Sequence, residues 1–330
     1  MSGPLSVMRN SAPSLPSVPE GWYAGGLARD LRPGEVRTRS MFGRDVVLFR
    51  AESGAVGAVD SVCPHLGAHL GRGGKVCGER LRCPFHGFEF DRSGACLRTA
   101  YGAAPPRRAR ASVFPAVERN GFLLVWSGAR PPSWEVPELE PDGYSAPAVR
   151  TFRLRGHPQE TTENSVDVGH FSVVHGFTEV EVQAPLVTEG PRLTAAYSMR
   201  HGLGFRTHFA IDAWGLGYSF VDVRALGLRT RHWVLATPIG GGEIELSLGV
   251  SVPTVGLRTR AGRALARTLA GPLRRVILEA FVRDTRADFP IWDGKQYVAS
   301  PALAKGDGPI GRYRAWAAQF VESSAAAVAS

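Results

Sequence analysis

The stretch that decides the fold is CPHLGAHLGRGGKVCGERLRCPFHGF, residues 63–88. It opens with Cys63-Pro-His65 and closes with Cys83-Pro-Phe-His86, so each end supplies one thiol and one imidazole. Such a set could bind one structural zinc ion. It could also bind a two-iron, two-sulfur cluster in which histidines replace cysteines on one iron. Because glycine-rich turns keep both loops compact on a β base, we favour the cluster, with zinc as the alternative.

The composition is that of a globular protein, and we expect it to be cytoplasmic because its first twenty residues have no apolar stretch that could serve as an export signal. The chain has 330 residues, 44% hydrophobic and 21% charged, which is enough for two ordinary domains. It contains no run of roughly eighteen apolar residues that would predict a membrane-spanning helix. The net charge of +9 comes from arginines spread along the whole chain. This spread argues against nucleic-acid binding and indicates either a solvated surface or docking of an acidic electron-transfer protein.

The four cysteines all lie in the N-terminal third of the chain. In a long chain without an export signal they form a poor disulfide framework, and metal or redox chemistry is the better interpretation. Cys77 and Cys96 match neither Cys–His pair, so we expect them to be buried structural thiols.

The sequence pattern predicts an α+β chain with two domains. Residues 1–20 are rich in Ser and Pro and are expected to be a disordered leader. Short alternating strands between Gly and Pro turns predict an all-β domain over residues 21–130. A Pro-rich linker over residues 131–150 precedes a second domain, residues 151–330.

The second domain combines strands with helices. After a helical segment at 162–176, five strand-like segments follow between residues 192 and 250. A long helix is predicted from about 258 to 289, and a last helix from about 309. Apolar side chains recur every four residues along the long helix and predict its buried face: Leu265, Leu269, Leu273, Ile277 and Phe281.

A second set of metal-binding side chains lies in ENSVDVGHFSVVH, residues 163–175. On an ideal helix His170 and His175 would lie roughly 140° apart, with Asp167 between them. A local π-type distortion would bring the two imidazoles to one ion. Two histidines and one carboxylate form the facial triad of iron(II) oxygenases. Asp284 and Asp288, one turn apart on the long helix, are the candidate carboxylates, unless both merely cap the helix or pair with arginines.

The spacing of the first motif resembles the Rieske motif of non-haem iron ring-hydroxylating oxygenases. The resemblance extends over nearly the whole chain. It implies an N-terminal Rieske domain followed by a helix-grip (START-like) antiparallel-sheet catalytic domain with long helices, assembled as a head-to-tail homotrimer. It also implies a mononuclear Fe(II), dioxygen as co-substrate, and one [2Fe–2S] cluster held by Cys63, His65, Cys83 and His86.

The second motif is similar to the Asn-x-x-Asp-x-x-His-x4-His element of the same family. By this resemblance His170 and His175 are iron ligands, Asn164 stands at its motif position, and Asp167 bridges to a Rieske histidine of a neighbouring subunit. RADFPIWDGK, residues 286–295, resembles the family's Asp-x-x-Ile-Trp element. It therefore favours Asp288 as the third ligand, with Asp284 as the alternative.

Two segments, ENSVDVGHFSVVHGF and GDGPIGRYRAWAAQF (306–320), resemble the cholesterol 7-desaturase and 3-ketosteroid 9α-hydroxylase branch. We expect an oxygenase component that hydroxylates or desaturates a bulky, hydrophobic, sterol-like or steroid-like substrate. One alternative is an oxygenase or O-demethylase for a smaller aromatic or natural-product substrate. A more remote alternative is a Rieske electron carrier with a non-catalytic binding domain.

Electrons are expected from outside the chain. No dinucleotide fingerprint has a credible strand–helix context, and two remaining cysteines cannot build a second four-cysteine cluster. NAD(P)H would therefore act through a separate reductase, with or without a ferredoxin. Among the other histidines, His201 and His208 are either structural or line the substrate pocket. The same two alternatives apply to the aromatic side chains of the strand segments: Trp214, Tyr218 and Phe220.

Overall fold

The computed structural model describes residue 15 and residues 18–140, 143–254 and 260–328, with side chains described outside 260–267 and 322–328. Most of the predicted leader therefore lies outside the described residues. The N-terminal half is built from short antiparallel strands and one 3-10 turn, Ala28–Asp30. The strands are β1 (Gly21–Leu27), β2 (Val36–Met41), β3 (Arg44–Arg50), β4 (Val56–Asp60), β5 (Lys75–Cys77), β6 (Arg80–Arg82), β7 (Glu89–Phe90), β8 (Cys96–Arg98), β9 (Val113–Phe114), β10 (Ala116–Arg119) and β11 (Phe122–Ser127).

These strands form three small sheets with the orders β1-β11-β10, β2-β3-β4-β9 and β5-β6-β7-β8. Phe49 and Val59 from the second sheet pack with Leu81 and Phe90 from the third, and all four side chains are buried. The Cys–His loops follow β4 and β6, so the packed sheets fix where both loops begin. The predicted all-β character of this half is confirmed.

The C-terminal half consists of one large sheet and five helices within the described residues. Its elements are β12 (Ala148–Arg155), α1 (Pro158–Glu163), α2 (Val168–Val173), β13 (Thr178–Glu189), β14 (Arg192–Arg200), β15 (Arg206–Trp214), β16 (Tyr218–Ala225), β17 (Leu228–Gly240), β18 (Glu243–Ser251), α3 (Arg260–Thr285), α4 (Phe289–Gly294) and α5 (Ile310–Val328).

The large sheet has the order β12-β18-β17-β16-β15-β14-β13, with every neighbouring pair antiparallel. Strands β13 to β18 form a meander, and β12 closes on its last strand. In β18, Ile244, Leu246 and Leu248 are fully buried, as period-two alternation predicts. The sheet and its helices confirm the predicted α+β class.

Two helices cover this sheet. Leu278 and Val282 of α3 pack with the buried residues of β18. Tyr313, Trp316 and Phe320 of α5 are buried in a core with Leu193 and Tyr197. None of the helices among the described residues is long and apolar enough to span a membrane.

The predicted buried face of the long helix is wrong in part. Leu269 and Leu273 are 54% and 37% exposed, whereas Leu278 and Val282 are buried. Leu265 lies outside the described side chains. The physical reason is that Leu273 lines an open cavity together with Ile277 and Phe281, of which only the latter two also pack against the core of the sheet. A cavity wall and a core face give the same apolar periodicity, so the pattern does not separate them.

The two halves share a buried core. Trp22 and Trp126 from the N-terminal half are buried with Tyr218 and Trp233 from the large sheet. The Thr237 hydroxyl donates a buried hydrogen bond of 2.9 Å to the carbonyl of Ala24 in β1. The halves are therefore joined by packing and hydrogen bonding and not only by the chain connection.

Candidate metal centres

The two Cys–His loops repeat the same backbone hydrogen bonds. The Cys63 N–H donates to the carbonyl five residues on (2.8 Å), and the Gly67 N–H donates back to the Cys63 carbonyl (2.9 Å). The Cys83 N–H and the Gly87 N–H make the same two bonds in the second loop, at 2.8 and 3.2 Å. Gly67 and Gly87 have φ values of 76° and 63°, a region that glycine reaches without strain. Each loop is thus closed by its own backbone hydrogen bonds.

The side chains of these loops converge. Cys63 and Cys83 are 2% and 3% exposed. The imidazoles of His65 and His86 meet edge to face with their centroids 4.8 Å apart, and His65 also stacks on Phe88 at 4.2 Å.

The donor set fits a cluster with two cysteine and two histidine ligands. The Nδ1 of His65 is buried and has no hydrogen-bond partner among the described residues, which metal ligation would explain. Burial raises the pKa of the Cys63 thiol to about 11, although backbone N–H groups of His65 and Leu66 oppose the rise. Such a buried thiolate is stable at neutral pH only next to a cation.

The other two cysteines lie apart from this donor set. Cys77 is in β5 and Cys96 is in β8, and both are only half-buried. The Cys96 thiol donates to the carbonyl of Arg98 at 3.3 Å. The expectation that both would be buried thiols is therefore wrong, because β5 and β8, which carry them, are the two edge strands of the small sheet.

The second candidate centre begins at helix α2. Asp167 precedes this helix, and its Oδ1 accepts a hydrogen bond of 3.2 Å from the His170 N–H, so Asp167 is the helix N-cap. The Nδ1–H of His170 donates to the Asp167 carbonyl at 2.5 Å. This bond fixes the tautomer and leaves Nε2 of His170 available to a metal.

His175 follows the end of α2 rather than lying within it. The helix ends at Val173, and the ring centroids of His170 and His175 are 5.0 Å apart. The predicted π-type distortion is therefore wrong. The two imidazoles come together because the helix ends before His175. A residue beyond the last turn does not follow the rotation of about 100° per residue that an α-helix imposes.

Asp288 completes a set of three donors. One ligand atom each from His170, His175 and Asp288 lies within 4.8 Å of the other two. The Oδ2 of Asp288 is 3.6 Å from Nε2 of His175, and the Asp288 side chain is only 7% exposed. Two imidazoles and one carboxylate fit a mononuclear iron of the facial-triad type.

Asp284 lies on the other side of the same imidazole. Its Oδ1 is 3.5 Å from Nδ1 of His175, and its side chain is 42% exposed. The geometry thus favours Asp288 as the ligand, with Asp284 placed to orient the His175 ring. The prediction that one helix carries both carboxylates is wrong, because α3 ends at Thr285 and Asp288 directly precedes α4.

Burial shifts the pKa values of the three donor side chains of this centre. Burial raises the pKa of Asp288 to about 6, with Asp284 and Asp167 adding to the rise and His175 opposing it. Burial also lowers the pKa of His170. For His175 burial acts in the same direction, but the carboxylates of Asp284 and Asp288 outweigh it and raise the pKa. A bound cation would relieve these opposing effects.

A buried ion pair anchors the segment that carries the histidines. The Arg314 guanidinium of α5 donates to Glu163 at the end of α1, at 2.7 Å, and Lys295 approaches the same carboxylate at 3.3 Å. The hydroxyl of Tyr313 donates to the carbonyl of Gln159 at 2.5 Å. These contacts were not predicted from the sequence, because the residues that form them are more than a hundred positions apart in the chain.

A cavity opens beside the three donors. A volume of about 140 Å³ is lined by His170, His175, Asp288 and Asn164. A larger cavity of about 610 Å³ adjoins it between strands β15–β17 and helix α3. The two share six lining residues: Phe177, Phe209, Val221, Val234, Phe281 and Asp284.

The structure shows which of the side chains with two alternative roles line the cavity and which do not. His201 lines the larger cavity, whereas His208 is exposed and does not line it. Trp214, Tyr218 and Phe220 pack in the core between the two halves.

Two family models match the chain. The model of the Rieske [2Fe-2S] domain matches residues 21–108. The model of the 3-ketosteroid 9alpha-hydroxylase C-terminal domain matches residues 126–321.

Curated relatives and solved structures agree with these models. The cholesterol 7-desaturase nvd of Bombyx mori is 30% identical, over 92% of this chain and 70% of that protein. The 3-ketosteroid-9-alpha-monooxygenase oxygenase component of Rhodococcus rhodochrous is 26% identical, over 91% of this chain and 83% of that protein.

The crystal structure of dicamba monooxygenase bound to dicamba has the same fold, with a TM-score of 0.67, 18% identity and coverage of 95% of this chain and 100% of that chain. The chain therefore belongs to the Rieske oxygenase family whose members include the cholesterol 7-desaturases and the 3-ketosteroid 9α-monooxygenases, and it is an oxidoreductase with a Rieske [2Fe–2S] domain.

Proposed function

We propose that this protein is the oxygenase component that hydroxylates or desaturates a sterol or a steroid-like substrate. The observation that carries the proposal is the apolar cavity of about 610 Å³ that adjoins the smaller cavity lined by the two histidines and Asp288. Cavities of roughly 300–1,000 Å³ enclose most of the surface of a drug-sized ligand. A steroid ring system is of this size and is largely apolar, as is the lining. Relatives named for sterol and steroid substrates support the same class.

The proposed iron ligands are His170, His175 and Asp288. An iron bound there would supply reductive activation of dioxygen, which the side chains of the protein cannot perform. The chain itself holds the His170 ring in position through the Asp167 carbonyl, and the Asp284 carboxylate lies 3.5 Å from Nδ1 of His175. The apolar walls bind the substrate and exclude water from the reacting carbon–hydrogen bond. Asn164 lines the cavity beside the ligands and is proposed to help position the reactants.

The proposed ligands of the [2Fe–2S] cluster are Cys63, His65, Cys83 and His86. The rim of these loops exposes large apolar side chains, with Leu66, Phe85 and Tyr101 each at least 60% exposed. Exposed apolar clusters of this kind mark interaction surfaces.

We propose that this rim meets the iron site of a neighbouring subunit in a head-to-tail trimer. In such a closed ring every interface joins two different surfaces, so each subunit presents one surface to one neighbour and the second surface to the other. Val173, beside the histidine ligands, is 87% exposed and would belong to the second surface. Asp167 would accept a hydrogen bond from a cluster histidine of the neighbour. Its Oδ1 bonds to His170, and its other oxygen has no hydrogen-bond partner among the described residues.

Electrons are proposed to reach the cluster from NAD(P)H through a separate reductase, with or without a ferredoxin. The Rhodococcus relative is named as an oxygenase component, which fits a system of several proteins. A cytoplasmic location is also proposed, and it is supported by the four cysteines, none of which forms a disulfide bond among the described residues. The division into a Rieske domain at 21–130, a linker at 131–150 and a catalytic domain at 151–330 also stays a proposal.

Product analysis tests the proposed function. The loaded protein is incubated with a surrogate reductase, NADH, ¹⁸O₂ and a panel of sterols and 3-ketosteroids, and products are identified by mass spectrometry. We expect a product that contains one labelled oxygen or lacks two hydrogens. The control is His170→Ala, which should form no product while retaining the cluster spectrum.

Other outcomes separate the alternatives. Absence of turnover with both centres loaded would contradict the steroid substrate and would favour a smaller aromatic or natural-product substrate. If His170→Ala kept full iron content and full electron-transfer activity, the protein would be an electron carrier and not an oxygenase.

A further inference from the structure

The larger cavity has a polar group at its outer end. From the metal centre, Phe177 lies 6.1 Å from His175 on one side and 5.7 Å from His201 on the other, measured between ring centroids. His201 lies in the turn between β14 and β15. At the neighbouring turn between β16 and β17, Leu226 lines the cavity and is 79% exposed. The cavity thus extends from Asp284, which faces His175, to these two turns, and Phe177 lies between the rings of His175 and His201.

The protein determines which nitrogen of His201 carries the proton. The backbone N–H of Leu203 donates to Nδ1 of His201 at 3.2 Å. An Nδ1 that accepts a hydrogen bond cannot carry a proton, so the proton of the neutral ring is on Nε2. Nε2 has no hydrogen-bond partner among the described residues. His201 therefore offers one hydrogen-bond donor with a defined direction.

The imidazole is also held in place. It stacks on Phe205 with centroids 4.9 Å apart and an interplanar angle of 6°, and it meets the edge of Phe177. The turn itself is closed by the Gly204 N–H, which donates to the His201 carbonyl at 2.8 Å. A donor fixed in this way loses little conformational entropy when a ligand binds.

The other polar groups of this cavity differ in their bonding. Thr230 and His232 share a hydrogen bond of 2.9 Å with each other. Asp284 faces His175. Thr207 lines the cavity with a hydroxyl that can donate or accept, so it can assist either a carbonyl or a hydroxyl oxygen. His201 is the fixed donor among them.

We infer that His201 is a specificity-determining residue whose Nε2–H binds an oxygen atom, carbonyl or hydroxyl, at the end of the substrate remote from the reacting carbon. This inference rests on the proposed function and deepens it. The substrate is an elongated apolar molecule with a hydrogen-bond acceptor at one end. Its oxygen sets the direction of entry and so determines which carbon–hydrogen bonds come near the metal centre.

Equilibrium binding tests the inference without turnover. Calorimetry on the loaded protein without reductant would use three steroids of one ring skeleton, with a 3-keto group, a 3β-hydroxyl group or no oxygen. The variants are His201→Phe, which keeps the ring stacking and removes the donor, and His201→Gln, whose amide N–H replaces Nε2–H. His208→Phe is the matched control, because His208 is exposed and lies outside the cavity.

We expect the wild-type protein to bind the oxygenated steroids roughly three- to tenfold more tightly than the deoxy steroid. His201→Phe should lose this preference, while His201→Gln and His208→Phe should keep it. The keto and hydroxyl arms show which oxygen the site prefers.

A preference that persists in His201→Phe would overturn the inference. Equal binding of all three steroids by the wild-type protein would also overturn it, while leaving the proposed steroid substrate intact. Absence of binding by any steroid would overturn the substrate proposal and the inference with it.

Discussion

The two candidate metal centres are built in different ways. The proposed cluster ligands come from two neighbouring loops, and each loop is closed by its own backbone hydrogen bonds. The proposed iron ligands come from α2, from the second residue beyond its end and, more than a hundred residues later, from the residue that precedes α4. The first centre therefore depends on local geometry, whereas the second depends on the packing of the whole C-terminal half.

The two centres also differ in how they handle charge. The C-terminal centre places Asp288, His170 and His175 in a largely buried space, where the pKa values of Asp288 and His175 are raised and that of His170 is lowered. Such an arrangement requires a cation to be stable. The comparison predicts that the centres load independently and that the C-terminal half is the more sensitive to acid.

Single ligand substitutions give the largest expected effect. Cys83→Ala should lose the cluster absorbance and keep the mononuclear iron, and His170→Ala should do the reverse, because no ligand is shared. Iron content and electronic absorption spectra measure both. Cys77→Ala and His208→Ala are the matched controls and should keep both centres. Loss of both centres in either ligand variant would contradict independent loading.

The two neighbouring carboxylates should differ in their effect on iron. Asp288→Ala removes a ligand and should abolish measurable iron binding. Asp284→Ala removes only the partner of the His175 Nδ1, 3.5 Å away, and should weaken iron affinity about 10–100-fold. Metal titration of the apo protein against a competing chelator measures both. The reverse order would make Asp284 the ligand.

Acid should destabilise the C-terminal half through His232. Burial lowers the pKa of this imidazole to about 4, against the opposing charge of Asp222. The unfolded chain gains a proton below about pH 6.5, whereas the folded chain stays neutral until about pH 4. The free energy of unfolding should therefore fall by up to about 3 kcal/mol across that range.

Denaturant unfolding at several pH values checks this expectation. In His232→Gln the decrease between pH 6.5 and pH 4 should be smaller, whatever the cost of the substitution at neutral pH. An unchanged slope would mean that His232 does not contribute to the acid sensitivity.

The contact between the two halves gives the smallest expected effect. Thr237→Val removes the buried hydrogen bond to the Ala24 carbonyl and leaves that carbonyl without its donor. The cost should be about 1–2 kcal/mol, measured by thermal or denaturant unfolding. Ser53→Ala, at an exposed hydrogen bond to Glu79, is the control and should cost less. Equal effects of the two would contradict the proposed importance of the shared core.

The sequence predicted the first centre more completely than the second. Cys63, His65, Cys83 and His86 are close in the chain, and the turns between them carry the glycines that the loops need. The contacts of these residues are local, so their pattern could be read without knowing the rest of the fold.

The second centre could be predicted only in part. One turn separates Asp284 from Asp288, so spacing allowed both, and only the break between α3 and α4 distinguishes them. The end of α2 at Val173 could not be predicted from the sequence either. The next two residues, Val174 and His175, include no proline or glycine that would stop a helix there. The donor at His201 depends on the Leu203 backbone and has no sequence signal at all.

Mixed trimers test the central claim that a cluster in one subunit serves the iron of its neighbour. Cys83→Ala and His170→Ala subunits are unfolded and refolded together, or produced together, and steroid product is measured by mass spectrometry. Each variant alone should be inactive. If subunits combine at random in a head-to-tail ring, about a quarter of the interfaces pair an intact cluster with an intact iron site, so about a quarter of wild-type activity should return. Mixed trimers that stay inactive with all remaining centres loaded would contradict transfer between subunits.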